Sequence, residues 1–120
     1  MKKIAFLFLL TTLFSCKSKM DDTIKKGYFD ACNEHNVETL VNSFFANPKW
    51  ESFVSPDDDK YHLNASGQIT YDNKPVNAII QFEMDGDDSW HINAFEINGE
   101  AQNDFMVAEL INEMCSSAGN

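Results

Sequence analysis

Three histidines, His35, His62 and His91, and two acidic loops, Asp57-Asp58-Asp59 and Asp85-Gly86-Asp87-Asp88, are the residues whose types could do chemistry. Imidazoles beside carboxylates can hold a zinc-class ion or move a proton, and clustered carboxylates offer the hard oxygens that calcium prefers. The spacing argues against each use. His35 lies near Cys32 and Glu34, but no C-x-x-C pair and no H-E-x-x-H helix accompanies it. Neither acidic loop follows the twelve-residue calcium pattern with its terminal bidentate Glu, so both read first as solvated turns. No G-x-S-x-G elbow appears to carry a nucleophile. The expectation is therefore no catalytic residue, no metal ligand and no cofactor.

The charge balance narrows the partners. The 120 residues hold nine lysines and no arginine against nineteen acidic residues, a net charge of −10. A phosphate backbone would be repelled, so no nucleic-acid binding is expected. Anionic lipid would be repelled as well. The bland account of the charge is solubility.

The elements that must position these residues follow from periodicity. Thr23 to Phe29 reads as a short extended segment with a turn or bulge at Gly27. Asn36 caps a helix whose apolar stripe is Val37, Leu40, Val41, Phe44 and Phe45, stopped by Asn47-Pro48. Four strands follow. Lys49 to Val54 is the first. In the second, Tyr61, Leu63, Ala65, Gly67, Ile69 and Tyr71 share the apolar face, and His62, Asn64, Ser66, Gln68 and Thr70 the wet one. In the third, Val76, Ala78, Ile80, Phe82 and Met84 face the core, with Asn77, Gln81 and Glu83 opposite and Ile79 interrupting that polar face. In the fourth, Trp90, Ile92 and Ala94 continue the core face ahead of Phe95 and Ile97, and Asn98-Gly99 ends the strand. Asp72-Asn73-Lys74-Pro75 and Asp85 to Asp88 turn the chain between strands, and such short connections favour antiparallel hairpins. Asn103 or Asp104 caps a last helix with Met106, Val107, Leu110, Ile111 and Met114 as its stripe, helped by Phe105. The sum is an α+β domain: an antiparallel four-stranded meander with an N-terminal and a C-terminal helix packed on one face. By parity His62 and His91 sit on the polar face, where a histidine is usually solvated.

The start of the chain is of another kind. Lys2 and Lys3 precede an apolar run from Ile4 to Phe14, too short to cross a bilayer as a helix and ordered like a secretory signal. Leu13-Phe14-Ser15-Cys16 resembles the lipobox of bacterial lipoproteins, although Phe14 is bulkier than the residue usual at its position. The resemblance implies that residues 1–15 are a signal peptide, cut before a Cys16 that carries acyl chains of the palmitate kind. Residues 16–22 then form the lipidated Cys and a polar tether, and residues 23–120 a single domain with a frayed C-terminus. Several acyl chains on one residue anchor firmly, at about 0.8 kcal/mol per buried CH₂. Lys17 after the Cys leans toward the outer membrane in a Gram-negative cell. With Cys16 assigned to lipid, Cys32 and Cys115 remain, and an even pair in an exported chain suggests a disulfide, with two buried thiols as the alternative. The segments Ile24 to Phe29, Ser43-Phe44-Phe45, Asn47 to Trp50 and Phe95 to Gly99 are together similar to a group of small, uncharacterised secreted bacterial domains, which implies an α+β fold and brings no activity.

The expected function is a membrane-anchored lipoprotein of the cell envelope. Its acidic domain would be a structural or protein-interaction module, not an enzyme, and would meet an envelope protein through Trp50, Trp90, Ile79 and Phe95. The rival expectation is an envelope hydrolase or metal-dependent enzyme using histidines and acidic loops. It requires at least two of the three histidines to converge with carboxylates.

Overall fold

A computed structural model describes residues 19–118. The expected signal peptide and lipobox, with Cys16, lie outside the described residues. Within them the chain is α+β. A helix, α1, covers residues 19–25; α2 is Val37–Phe44 and α3 is Asp104–Ala118. Between α2 and α3 run β1 (Ala46–Val54), β2 (Tyr61–Tyr71), β3 (Lys74–Met84), β4 (Trp90–Ile97) and β5 (Glu100–Ala101). They form one open antiparallel sheet in sequence order.

The sheet has five strands where the sequence suggests four. Asn98 and Gly99 both adopt left-handed backbone, with φ of 52° and 83°. Two such residues make the tight hairpin turn whose twist suits antiparallel strands. The dipeptide therefore does not end the sheet but reverses the chain, and Glu100 and Ala101 pair back onto Ile97 and Glu96. Asp72 and Asn73, with φ of 55° and 64°, make the same kind of turn between β2 and β3.

Two bulges set which side chains face the core. In β1, Ala46 pairs with Gln68 and Lys49 with Ser66, so β1 carries one residue more than β2 over that stretch. Asn47 has a left-handed φ of 54° there, and Pro48 has no N–H to give the ladder. Asn47-Pro48 thus lies inside a strand that begins at Ala46, earlier than Lys49. Gly67 sits opposite: a Cβ there would come within 2.8 Å of the Ala46 carbonyl oxygen, so the bulge closes only over glycine.

The second bulge is in β4. Gln81 pairs with Ala94 but Phe82 with Ile92, which leaves Asn93 as the extra residue. Parity changes there. Trp90 and Ile92 face the core before Asn93, Phe95 and Ile97 after it, and Ala94 turns to the opposite face. Strict alternation would carry Ala94 inward, as the sequence reading has it.

The helices have local causes. Asn36 Oδ1 accepts from the Thr39 N–H at 2.8 Å, and Asn103 Oδ1 from the Met106 N–H at 3.0 Å, so α2 and α3 each start on a side-chain cap. The segment from Thr23, expected to be extended, opens inside α1. There Met20 and Ile24, four apart, turn toward the core, Ile24 fully buried. Residues 19–22, expected to belong to a polar tether, are helical too, and Asp21 accepts a hydrogen bond from the Tyr61 hydroxyl. Phe105 does not join its stripe; it is 69% exposed.

One apolar cluster joins Ile24, Phe29, Val37, Leu40 and Val41 to Leu63, Ala65, Ile80 and Phe82 of the sheet and to Leu110 and Met114 of α3. Phe82 is its centre. Trp50 and Phe29 stack near it at 6.4 Å between ring centroids, and Trp90 meets it edge-on at 5.6 Å. Cys32 and Cys115 are bridged, with Cα atoms 5.9 Å apart across 83 positions of chain. Closing so long a loop removes denatured-state entropy worth about 4–5 kcal/mol in the chain-entropy account.

Candidate functional site

The face of the sheet turned away from the core carries one cross-strand row of chemistry. Antiparallel register sets Phe53 opposite His62, His62 opposite Glu83, and Glu83 opposite His91. The β1–β2 and β3–β4 loops reach the same end of the sheet, as they must in a meander. They add Asp58 and Lys60 from one side and Asp85 from the other.

Glu83 is the hub, and it is only 6% exposed. Its Oε1 accepts from the Lys60 ammonium at 3.1 Å. Its Oε2 lies 3.9 Å from His62 Nε2 and 3.8 Å from His91 Nε2, outside hydrogen-bond range of both. The hydrogen bond and charge of Glu83 hold the Lys60 pKa above the ordinary lysine value. His91 turns its other nitrogen, Nδ1, to Asp85 Oδ2 at 2.8 Å. His62 is 7% exposed, under the ring of Phe53 at 5.1 Å between centroids, and neither of its ring nitrogens has a hydrogen-bond partner. Ligand atoms of Asp58, His62 and Glu83 all lie within 4.8 Å of one another.

The solvated histidine that parity suggests at position 62 is thus a buried one. Alternation says which face a residue takes, not whether that face is covered. His91, half-exposed, is nearer the expectation, and His35 stays in the loop before α2, apart from the group. Lys60 and Glu83 escape a reading by motif because they come from separate stretches of the chain, and Asp58 stands out only as part of an acidic loop. A signal for Glu83 was present: counting outward from the Asp72-Asn73 turn brings His62 opposite Glu83.

The four residues expected to form one interaction surface do not share one. Ile79 is on the outer face beside Glu96. Phe95 is on the core face and 2% exposed, because the Asn93 bulge reverses parity ahead of it. Trp50 lies at the edge of the core face, its indole N–H donating to Asn42 Oδ1 at 3.0 Å and the Lys25 ammonium 5.1 Å from its ring centroid. Trp90 packs edge-on to Phe29 and Phe82.

Two clefts open beside α3. One, of about 380 Å³, is bordered by Phe44, Ile69, Tyr71, Phe105 and Leu110, with Phe95 also in its lining. The other, of about 430 Å³, lies among Tyr28, Trp90, His91, Ile92, Val107 and Ile111. Among the described residues no helix is long and apolar enough to cross a membrane.

Comparison with known proteins finds no relative: no family model matches the chain, and no curated protein and no solved structure matches it.

Proposed function

We propose that this is a lipid-anchored envelope protein, held by acyl chains on Cys16, whose domain binds a partner protein in the cleft between α3 and the sheet. In this reading both the N-terminal and the C-terminal helix lie on the sheet's apolar face, and α3 forms one wall of the binding surface. The observation that carries it is the pair of aromatic rings at the cleft mouth. Phe105 is 69% and Tyr71 46% exposed, beside a lining that includes Ile69 and Leu110. Large aromatic rings at the lip of an apolar recess are the usual anchors of protein recognition.

The anchor and the cleft are tested separately. Cells fed an alkyne fatty acid should label the wild type and leave Cys16→Ser unlabelled; label retained by the variant refutes the anchor. A photo-crosslinking amino acid at position 105 should give one discrete adduct in cells, lost when Tyr71→Asp is added. No adduct, or one indifferent to Tyr71→Asp, refutes the cleft.

The rival reading, an envelope hydrolase or metal-dependent enzyme, is favoured by one observation, the approach of His62 and His91 to the same oxygen of Glu83. It requires ester or phosphoester turnover that Glu83→Gln abolishes.

A further inference from the structure

We infer that Asp58, His62 and Glu83 form a binding site for a divalent transition ion of the zinc class, with His91 as the ligand that closes on it. The inference is independent of the anchor and of the cleft.

The argument begins with an unmet need. His62 is buried, and both its ring nitrogens lack a hydrogen-bond partner. A buried polar group left in that state costs free energy, so native structures rarely keep one without a use. Its Nε2 faces Glu83 Oε2 across 3.9 Å, a gap too wide for a hydrogen bond.

His91 presents the same gap from the opposite strand. Its Nδ1 lies 2.8 Å from Asp85 Oδ2. An ionised carboxylate only accepts, so Nδ1 is the nitrogen that carries the hydrogen. In the neutral ring Nε2 is then a bare lone pair, 3.8 Å from the same Oε2 of Glu83. Lone pair facing carboxylate is repulsive until a positive charge stands between them. A carboxylate that fixes the tautomer of a histidine is also the usual support behind a metal-bound imidazole.

The separations fit. Nitrogen and oxygen bound at about 2.0–2.1 Å around a tetrahedral ion stand about 3.3 Å apart. Gaps of 3.8 and 3.9 Å need to close by roughly half an ångström. Asp58, on an exposed loop, supplies a third ligand within 4.8 Å of the other two and leaves a way in for the ion. Imidazole with carboxylate selects zinc, copper, nickel or iron, whereas calcium and magnesium prefer oxygen alone. Lys60 works the other way. Its ammonium occupies Glu83 Oε1 and repels an incoming cation.

The test uses the untagged full chain in a Cys16→Ser background, so that this thiol does not compete, stripped of metal and titrated by calorimetry with zinc chloride and, separately, calcium chloride. Zinc should bind at one equivalent with a micromolar or tighter Kd, and calcium should not saturate. Glu83→Gln and His62→Ala should each weaken zinc by about tenfold or more. His62 is buried, so Asp58→Asn, at an exposed position that leaves folding intact, provides the same reading. Lys60→Met should tighten binding, an effect of opposite sign that a merely structural role would not produce. Cobalt in place of zinc should give the intense visible bands of four-coordinate geometry. Absence of saturable zinc binding by the folded protein, or binding indifferent to both Asp58→Asn and Glu83→Gln, overturns the inference. The group is then a packed set of polar side chains and nothing more.

Discussion

Phe82 and Glu83 are neighbours in β3, both buried and opposite in outcome. Phe82 looks into the core, where Phe29, Trp50 and Trp90 surround it. Glu83 looks out, where Lys60, His62 and His91 approach it. Apolar burial completes itself: each ring added removes more surface from water and asks for nothing further. Polar burial is complete only when each donor meets an acceptor. On the inner side every ring has its contacts. On the outer side two imidazole nitrogens stop short of one carboxylate oxygen. The inner face explains why the protein is stable, and the outer face calls for something other than stability.

The contrast can be broken most forcefully at Phe82. Phe82→Ala should cost about 3–5 kcal/mol in urea unfolding, because the ring's neighbours come from the segment between α1 and α2, from β1 and from β4 and cannot all collapse into the space left. A loss near zero would mean the inner face is not the source of stability.

Tyr61 and His62 repeat the contrast in β2. Tyr61 lies on the core face, and its hydroxyl donates to Asp21 of α1. Burial first, and that hydrogen bond second, raise its pKa above the ordinary tyrosine value of 10.0. A pKa raised by folding adds stability that is fully present below the unfolded value and is lost as pH climbs toward the folded one. Tyr61→Phe should therefore cost about 1–2 kcal/mol at neutral pH. Its stability curve should fall less steeply than the wild type's above the ordinary tyrosine range. Parallel curves from neutral to strongly alkaline pH would contradict this.

The smallest effect is the most informative. Glu83→Met, measured without metal, should change stability by no more than about 1 kcal/mol in either direction. Lys60 is half-exposed and can return to water, so removing the Glu83 carboxylate leaves no buried lysine charge behind. A cost as large as that of Phe82→Ala would make the outer group part of the scaffold and erase the difference between the faces.

Much of this arrangement was legible in the sequence. The alternation from Tyr61 to Tyr71 and from Val76 to Met84 marked both central strands and their faces, since one face of each is apolar without a break. Asn36 marked the start of α2 by its chemistry as a cap. What escaped was decided by single residues or by distant ones. Asn93 reverses the parity of β4 without any apolar signature of its own. Residues 19–25 offer only Met20 and Ile24 to the core, too few for a period, and Tyr61 supplies the Asp21 contact from forty positions away. The candidate site is legible in its face but not in its depth: parity places His62, Glu83 and His91 on one side, while the Phe53 ring against His62 and the approach of Asp58, Lys60 and Asp85 depend on register and loop geometry.

The Cys32–Cys115 bridge has a mechanical side. A pull on the chain ahead of Cys32 and beyond Cys115 travels from sulfur to sulfur. The residues between them, in the loop closed by a sequence separation of 83, lie off that path and carry no tension. Inside the loop are α2, all five strands and the Asp58–His62–Glu83 group. α1 lies wholly outside it, so tension on the ends unwinds α1 while the sheet keeps its register. Reduction of the bridge would put every strand in series with the load.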